Sequence, residues 1–325
     1  MDSTYYPHAD AFERALRQVD VDAEVVRIPY FLVEMLTPER LRGIRNILKQ
    51  KSLDRYLIFC PGLAEFFLEE ADQLFMFSAY RGWYDPNKIR VVSHVWTPIR
   101  SPDTPDSLKW TRKPPLRVGF MGSSYSNSRL AAIASRLPGP VKRWLLSGSY
   151  LKNIGLLARL YQLGISLKRL NTFARVETLN VLDRKRQEYK NFEIEIVDTN
   201  GFGGSDSEKN RYITHLESMT YIVCPRGSEN FSIRTYEALK YGRIPVIIDT
   251  DMVLPSEIDW DRVSIRVPYK DIGRIYDIIL EDYNSRSEQD FIERQQTALT
   301  TMHDLQSMDW LTNLLRETAN SHTKT

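Results

Sequence analysis

Apolar runs of strand length alternate along the chain with segments whose apolar residues recur at helical spacing, most clearly between residues 221 and 249. The run 221–224 predicts a buried strand, and 231–241 predicts a helix that ends at Gly242. Residues 244–248 predict a second buried strand. A strand, turn, helix and strand in this order form one unit of a parallel α/β sheet, and ligands bind such sheets at the carboxyl ends of the strands.

The same patterns recur over the rest of the chain and predict the α/β class. Further apolar runs predict strands at 24–28, 56–60, 89–96, 116–121, 192–197 and 263–267. Helical spacing and capping signals predict helices at 10–19, 38–50, 64–72, 127–136 and 208–217. The length of 325 residues suits two domains better than one.

Five prolines between residues 98 and 115 mark the predicted domain boundary, because proline removes a backbone donor and disfavours helix in the residue before it. We predict an N-terminal α/β domain over residues 1–100, a linker over 101–115 and a C-terminal α/β domain over 116–300. Residues 301–325 predict a helix that can pack back on the N-terminal domain. A cleft between two domains is a common ligand site.

Composition narrows the functional classes. The net charge of +2 argues against nucleic acid as a partner. The two cysteines, Cys60 and Cys224, are too few for a disulfide framework and fit a reducing compartment. The N-terminus lacks the pattern of a signal peptide, and no apolar run approaches the ~20 residues of a membrane span. These features predict a cytoplasmic protein.

The segment 141–190 is basic, with eleven lysines and arginines against Glu177, Asp183 and Glu188. A solvated helical face with apolar residues turned inward is the favoured interpretation. Peripheral contact with an anionic membrane or a lipid-linked phosphate is the alternative.

The turn and helix after residue 224 carry groups suited to a phosphorylated ligand. Arg226 and Arg234 offer planar donor pairs that match phosphate oxygens. Gly227 lets backbone N–H groups approach a phosphate closely, and Ser228 and Ser232 can cap the helix or bind the same oxygens. The alternative for one arginine is a surface ion pair with a neighbouring glutamate.

Two carboxylates, Glu229 and Glu237, lie on either side of Arg234 in this motif. We predict that Glu229 stands in the turn and Glu237 in the helix, both facing the cleft. Glu237 suits the two hydroxyls of a ribose, and Glu229 suits the opposite end of the ligand.

The order and spacing of these residues resemble the nucleotide-sugar half of exostosin-type glycosyltransferases. The similarity covers roughly a quarter of the chain and comprises residues 224–227, Ser232, Arg234, 237–239, Gly242, 244–248, 254–255, 258–260 and 263–271. Residues 117–122 are similar to the first strand and glycine turn of the family's donor domain, and 92–96 resemble its last acceptor-domain strand.

The resemblance implies a GT-B fold, with two Rossmann-like domains that face a central cleft. It implies a hexosyl- or pentosyltransferase that moves a sugar from a nucleotide diphosphate sugar, with a UDP-sugar favoured, to a glycan or lipid-linked acceptor. Surface polysaccharide assembly is the expected setting, and no metal or other cofactor is expected to be required. The implied donor-binding residues are Gly122, Ser123, Arg226, Gly227, Ser228, Asn230, Ser232, Arg234 and Glu237.

The catalytic candidates are Glu229 and Arg234, together with His94 and Glu65 as alternative bases in the N-terminal domain. A core or hinge histidine is the other interpretation of His94. Arg226, Arg234 and the helix N-terminus would stabilise the charge that grows on the leaving diphosphate. A base is needed only if the enzyme inverts the anomeric configuration. The exostosin resemblance favours inversion, whereas the Glu229–Glu237 spacing resembles that of retaining GT-B enzymes.

Three other functions remain open from the sequence. Asp249 and Asp251 form an Asp-x-Asp sequence after a strand, and such oxygen ligands suit Mg²⁺ or Mn²⁺ in a metal-dependent transferase. A turn or helix cap is the favoured interpretation of this pair. A nucleotide-sugar epimerase or a non-catalytic nucleotide-sugar-binding protein would use the same donor motif.

Overall fold

The computed structural model describes ten continuous stretches of the chain and a few single residues. The stretches are 7–19, 24–27, 56–59, 73–97, 109–124, 129–149, 171–189, 193–199, 205–227 and 229–321, and the single residues are 39, 42, 43, 46, 99, 102 and 159. The predicted helix at 64–72 and most of the one at 38–50 lie outside these residues.

Strands and helices alternate through the described residues. The strands are β1 (Glu24–Arg27), β2 (Tyr56–Phe59), β3 (Gln73–Met76), β4 (Ala79–Tyr80), β5 (Ile89–Val91), β6 (Arg117–Gly122), β7 (Glu193–Asp198), β8 (Tyr221–Cys224), β9 (Ile244–Asp249), β10 (Met252–Val253) and β11 (Ile265–Pro268). The α-helices are α1 (Pro7–Leu16), α2 (Arg129–Ser135), α3 (Gly139–Leu146), α4 (Phe173–Lys185), α5 (Asp206–Ser218), α6 (Ile233–Lys240), α7 (Trp260–Val263), α8 (Ile275–Ser285), α9 (Glu288–Leu305) and α10 (Met308–Ser321).

The N-terminal half contains a parallel sheet in the order β1-β2-β3-β5. The predicted strand at 89–96 ends at Val91, although the backbone N–H of Val92 still donates to Met76. Beyond that point the chain leaves the sheet, because Val95 is buried against Tyr236 and Leu239 of α6 instead. The apolar run was therefore predicted correctly as buried and wrongly as strand over its second half.

The C-terminal half contains a five-stranded parallel sheet in the order β11-β9-β8-β6-β7. All four residues of β8 and the first five of β9 are buried, as expected where helices cover both faces of a sheet. Cys224 ends β8 as a free, buried thiol, and burial raises its pKa to about 12. Two parallel sheets within one chain agree with the predicted α/β class and with a GT-B arrangement of two Rossmann-like halves.

The two halves contact each other through a short antiparallel pairing of β4 with β10, in which Tyr80 lies opposite Met252. The backbone N–H of Arg81 extends this pairing by donating to the carbonyl of Asp251 at 3.1 Å. At the other end of the chain, α10 packs against α1, and Leu315 joins Phe12 in one buried cluster. The exact domain boundaries stay predictions.

None of the described helices is both long enough and apolar enough to cross a bilayer.

Candidate functional site

The strand order of the C-terminal sheet identifies where a ligand can bind. The chain passes from β6 outward to β7 and then returns past β6 to β8, so the order reverses between β6 and β8. In open parallel sheets, ligands bind in the crevice outside the carboxyl ends of the strands at such a reversal. Gly122 ends β6 there and Cys224 ends β8, and both lead into segments that the sequence identified.

Arg234 lies in the first turn of α6 and reaches across this crevice to the end of β6. Its Nε donates to the carbonyl of Met121 at 2.7 Å, and its guanidinium carbon lies 4.8 Å from the centroid of the Phe120 ring. Within the described stretches, Nη1 and Nη2 donate to no protein acceptor. The guanidinium is therefore fixed in place while its two terminal nitrogens stay available to a ligand.

Gly122 makes this position of Arg234 sterically accessible. A Cβ on residue 122 would lie 1.6 Å from Nη2 of Arg234. The φ angle of 149° at Gly122 is one that side chains rarely allow. Gly122 is thus required both by its own backbone and by the guanidinium that lies against it.

Arg226 is buried inside the turn after β8, and its donor-binding role stays a prediction. The residue is fully buried, and its guanidinium donates to the carbonyl of Glu229 at 3.1 Å, to Oδ1 of Asn230 at 2.9 Å and to the hydroxyl of Tyr80 at 3.0 Å. These contacts shape the turn after β8 and connect it to the N-terminal half. Arg226 is a positioning residue in this arrangement.

Asn230 is likewise buried and directed away from solvent, and its role in donor binding stays a prediction. Its Oδ1 accepts a hydrogen bond from Thr250 at 2.8 Å in addition to the one from Arg226. Its Nδ2 donates to the carbonyl of Ala79 in β4 at 3.3 Å. The amide therefore joins the donor-side turn to both β4 and the end of β9.

Arg175, which the sequence analysis treated only as part of the basic segment, connects the two loops at the crevice. Its guanidinium donates to three carbonyls, those of Ser123 at 2.9 Å, Arg226 at 3.0 Å and Pro225 at 3.2 Å. The carbonyls of Ser123 and Pro225 follow β6 and β8 respectively, so Arg175 fixes the separation of these loops. No local sequence pattern distinguishes Arg175 from the surrounding cations.

Glu237 is also placed differently from the prediction of a cleft-facing ribose ligand. It is 3% exposed, and the hydroxyl of Tyr212 in α5 donates to its carboxylate at 2.6 Å. Burial raises the pKa of Glu237, while the Tyr212 hydrogen bond and the charges of Arg234 and Lys240 act in the opposite direction. The carboxylate lies between α5 and α6, covered by the Tyr212 ring.

The remaining donor-side residues border the crevice in different ways. Ser232 is the N-cap position of α6, and its buried Oγ has no hydrogen-bond partner in the described part of the chain. Gly227 is partly exposed, and its N–H donates to the carbonyl of Phe231. Glu229 is 8% exposed at the turn, so it does not project freely into the cleft as predicted. Ser228 lies outside the described residues.

A carboxylate that the sequence analysis missed holds the loop after β6. Asp198, the last residue of β7, accepts hydrogen bonds from the backbone N–H of Ser124 at 3.1 Å and from its hydroxyl. This pair adjoins Ser123, whose carbonyl binds Arg175. A negatively charged residue at the end of an edge strand was the only signal for it.

His94 is packed among aromatic rings, at centroid distances of 4.3 Å from Phe77 and 5.6 Å from Phe231. Burial lowers its pKa to about 4, against a smaller effect of a backbone hydrogen bond. The imidazole is therefore neutral at pH 7 and a weak base, which favours a packing role over the predicted catalytic one. The alternative base, Glu65, lies outside the described residues.

The Asp-x-Asp sequence lies at the contact between the two halves. Asp249 accepts hydrogen bonds from Arg81 and, at 2.8 Å, from Arg266. Asp251 lies 3.6 Å from Arg81 and has a φ angle of 66°. Across the described ranges, no three His, Cys, Asp or Glu side chains form a group that could hold a metal ion. Both carboxylates are neutralised by guanidinium groups, which supports the turn interpretation.

Comparison with known proteins shows similarity over part of this crevice. Residues 178–281 match the model of the Exostosin GT47 domain. A probable glucuronosyltransferase of Oryza sativa subsp. japonica is 36% identical over 70 residues, which are 21% of this chain and 16% of that protein. Exostosin-1 of Drosophila melanogaster is 36% identical over 88 residues, 26% of this chain and 11% of that protein.

A third relative, the probable beta-1,4-xylosyltransferase IRX10 of Arabidopsis thaliana, is 32% identical over 80 residues, 24% of this chain and 19% of that protein. The aligned segments thus span less than a fifth of each of these relatives. Among solved structures, TarM has a TM-score of 0.43 at 10% identity over 95% of this chain and 57% of its own. A glycosyltransferase from Rickettsia africae has a TM-score of 0.40 at 10% identity, over 100% of this chain and 84% of its own.

Proposed function

We propose that this chain, whose residues 178–281 match the model of the Exostosin GT47 domain, is a glycosyltransferase that moves a sugar from a nucleotide diphosphate sugar to a glycan acceptor. The observation that supports this most directly is the guanidinium of Arg234, fixed at the strand-order reversal with two terminal nitrogens uncommitted among the described residues. A planar pair of donors in this place fits a phosphate group.

The electrostatics of α6 supports an anionic ligand. The N-terminus of a helix carries a partial positive charge and favours anions, so an arginine in the first turn is unfavourable unless an anion neutralises it. The first turn of α6 contains Arg234 and no acidic residue. The buried Ser232 hydroxyl at the N-cap adds a further donor beside the helix amides.

The positions of Arg234 and the N-terminus of α6 suit the stabilisation of the leaving group. As the bond between the sugar and the diphosphate breaks, negative charge grows on the leaving diphosphate, and Arg234 with the N-terminus of α6 stabilises it. Because the site is built before the ligand arrives, little reorganisation is needed at that moment. Arg175 and Arg226 act indirectly by holding the loops around Arg234. We further propose that the donor is a UDP-sugar and that no metal is required.

A nucleotide panel tests the proposal with the intact chain. We expect UDP to raise the melting temperature, in the presence or absence of EDTA, more than GDP, ADP, dTDP or CMP. Arg234→Ala should weaken UDP binding by about 10- to 100-fold, the worth of a charge-assisted hydrogen bond. UMP binding should change less, because Arg234 is proposed to contact the diphosphate.

Two further variants make the result specific. Arg234→Lys keeps the charge but loses the planar donor pair, so it should recover only part of the affinity. Arg262→Ala removes an exposed arginine on α7 and should leave UDP binding unchanged.

Slow release of UDP from UDP-sugars without acceptor would distinguish a transferase from a binding protein. Equal binding by wild type and Arg234→Ala would contradict the proposal.

A further inference from the structure

Large apolar side chains are exposed on the consecutive helices α2 and α3, which are separated by residues 136–138. Ile133 is 58% exposed, Trp144 39% and Val141 38%. These three are the exposed large hydrophobic residues in the described part of the chain. We call the exposed surface from Arg129 to Trp144 the α2–α3 face.

The core does not account for these residues, because the opposite sides of both helices already fill it. Ala131 and Ala134 are buried on α2, which packs against α4, and Leu145 and Leu146 are buried at the end of α3. Ile133, Val141 and Trp144 therefore lie outside the core, and Val141 and Trp144, three residues apart in α3, share one side of that helix. Pro138, which precedes α3, and Pro140, in its first turn, are also exposed.

The charged residues of the α2–α3 face itself are all basic. Residues 107–176 contain thirteen lysines and arginines and no aspartate or glutamate. Arg129, Arg136 and Arg143 are exposed on the face itself, whereas Lys142 is partly buried in an ion pair with Glu177. Since the whole chain has a net charge of only +2, the rest of it is net acidic. Of these cations, Arg129, Arg136 and Arg143 lie on the same two helices and connection as the exposed apolar residues.

We infer that the α2–α3 face docks on the surface of an anionic lipid bilayer, with Ile133, Val141 and Trp144 at the acyl boundary and the three arginines among the headgroups. Stable attachment to a membrane takes two signals, and an apolar surface beside a basic one supplies both. Tryptophan is the residue most suited to the interface, because its ring is apolar and its N–H is polar. The inference does not depend on the proposed nucleotide site.

Vesicle sedimentation of the intact chain tests this. The chain should sediment with vesicles that contain phosphatidylglycerol and much less with pure phosphatidylcholine, and added salt should weaken binding. Arg136→Glu with Arg143→Glu should weaken it by more than about tenfold, since each basic residue near the surface contributes. Arg262→Glu with Arg316→Glu, an equal charge change at exposed residues elsewhere, should have a far smaller effect.

Insertion of the apolar residues is tested separately by fluorescence. Vesicles with brominated acyl chains should quench tryptophan emission, and the conservative variant Trp144→Phe should lose most of that quenching while it still sediments. Ile133→Ser with Val141→Ser should weaken sedimentation without lowering the melting temperature. The inference is overturned if the wild type stays in the supernatant with anionic vesicles, or if the two double arginine variants behave alike.

Discussion

At the contact between Arg234 and Gly122, the addition of one carbon atom is predicted to lower donor turnover strongly. The guanidinium lies where a Cβ on residue 122 would be, at 1.6 Å from Nη2. We therefore expect Gly122→Ala to displace Arg234 and to lower donor turnover by about 100-fold, the effect of a misplacement of roughly 1 Å. Measured turnover of a UDP-sugar by the variant and the wild type checks this.

A double-mutant cycle separates displacement of Arg234 from general damage to the fold. If Gly122→Ala acts through the guanidinium, it should cost little further activity in an Arg234→Ala background. Strain at the φ angle of 149° would lower stability by about 1–3 kcal/mol in both backgrounds. Losses of turnover that simply add would show that the two residues act independently.

Glu237 should give the stability of the protein a measurable pH dependence. Burial raises its pKa above the ordinary value of 4.5, so the folded state binds the proton more tightly than the unfolded state. The stabilisation is complete below pH 4.5 and is lost as the pH rises through the folded-state pKa. Glu237→Gln removes this dependence, which at its steepest is about 1.4 kcal/mol per pH unit for one group.

Urea unfolding of wild type and Glu237→Gln over a pH series measures the difference directly. The difference in unfolding free energy isolates Glu237 from other carboxyl groups with raised pKa values, such as Glu257 and Asp251. The variant should gain stability relative to the wild type as the pH rises above 4.5. A constant difference across the series would mean that Glu237 titrates normally.

Residue roles were harder to predict than residue positions. Arg226 and Arg234 lie eight residues apart in one motif and have the same chemistry, yet one is buried and the other is uncommitted among the described residues at its terminal nitrogens. The difference depends on Tyr80, which is 146 residues from Arg226 in sequence and accepts its hydrogen bond. A local sequence pattern cannot indicate a partner that is so distant along the chain.

At the level of elements, the turn between β9 and β10 separates the two interpretations of the Asp-x-Asp sequence. Asp251 has a φ angle of 66°, which glycine adopts without strain. Asp251→Gly should therefore keep full transferase activity and gain or lose no more than about 1 kcal/mol of stability. A metal-dependent mechanism would instead require the carboxylate, so loss of activity together with EDTA sensitivity in the wild type would support that mechanism. Turnover and urea unfolding of the variant measure both.

Several elements were predicted within one or two residues, whereas the strand at 89–96 was predicted five residues too long and β3 was not predicted. The strands expected at 116–121 and 192–197 are β6 (Arg117–Gly122) and β7 (Glu193–Asp198), and the helix expected at 208–217 is α5. In contrast, β4 and β10 have two residues each and were missed. They form strands only because they pair with each other across the two halves, so a tertiary contact and not a local preference defines them.

At the scale of the whole molecule, one contact connects the two ends of the chain. Helix α10 follows the C-terminal half in sequence but packs against α1 of the N-terminal half. Their shared cluster includes Phe12 on α1, Phe75 on β3, and Leu311 and Leu315 on α10. The sequence could predict α10 as a helix that packs back, but which face it buries depends on side chains nearly 300 residues away.

Leu315→Ala tests whether this contact holds the N-terminal half together. Leu315 is fully buried, so its truncation should remove apolar contacts, leave a cavity and lower the unfolding free energy by about 2–5 kcal/mol. Glu317→Ala changes an exposed residue on the same helix and should stay within about 0.5 kcal/mol of the wild type. Urea unfolding followed by tryptophan fluorescence measures both variants. Equal stability of the two would mean that α10 adds little to the N-terminal half, and that β4, β10 and the Arg226 contacts carry the connection between the halves.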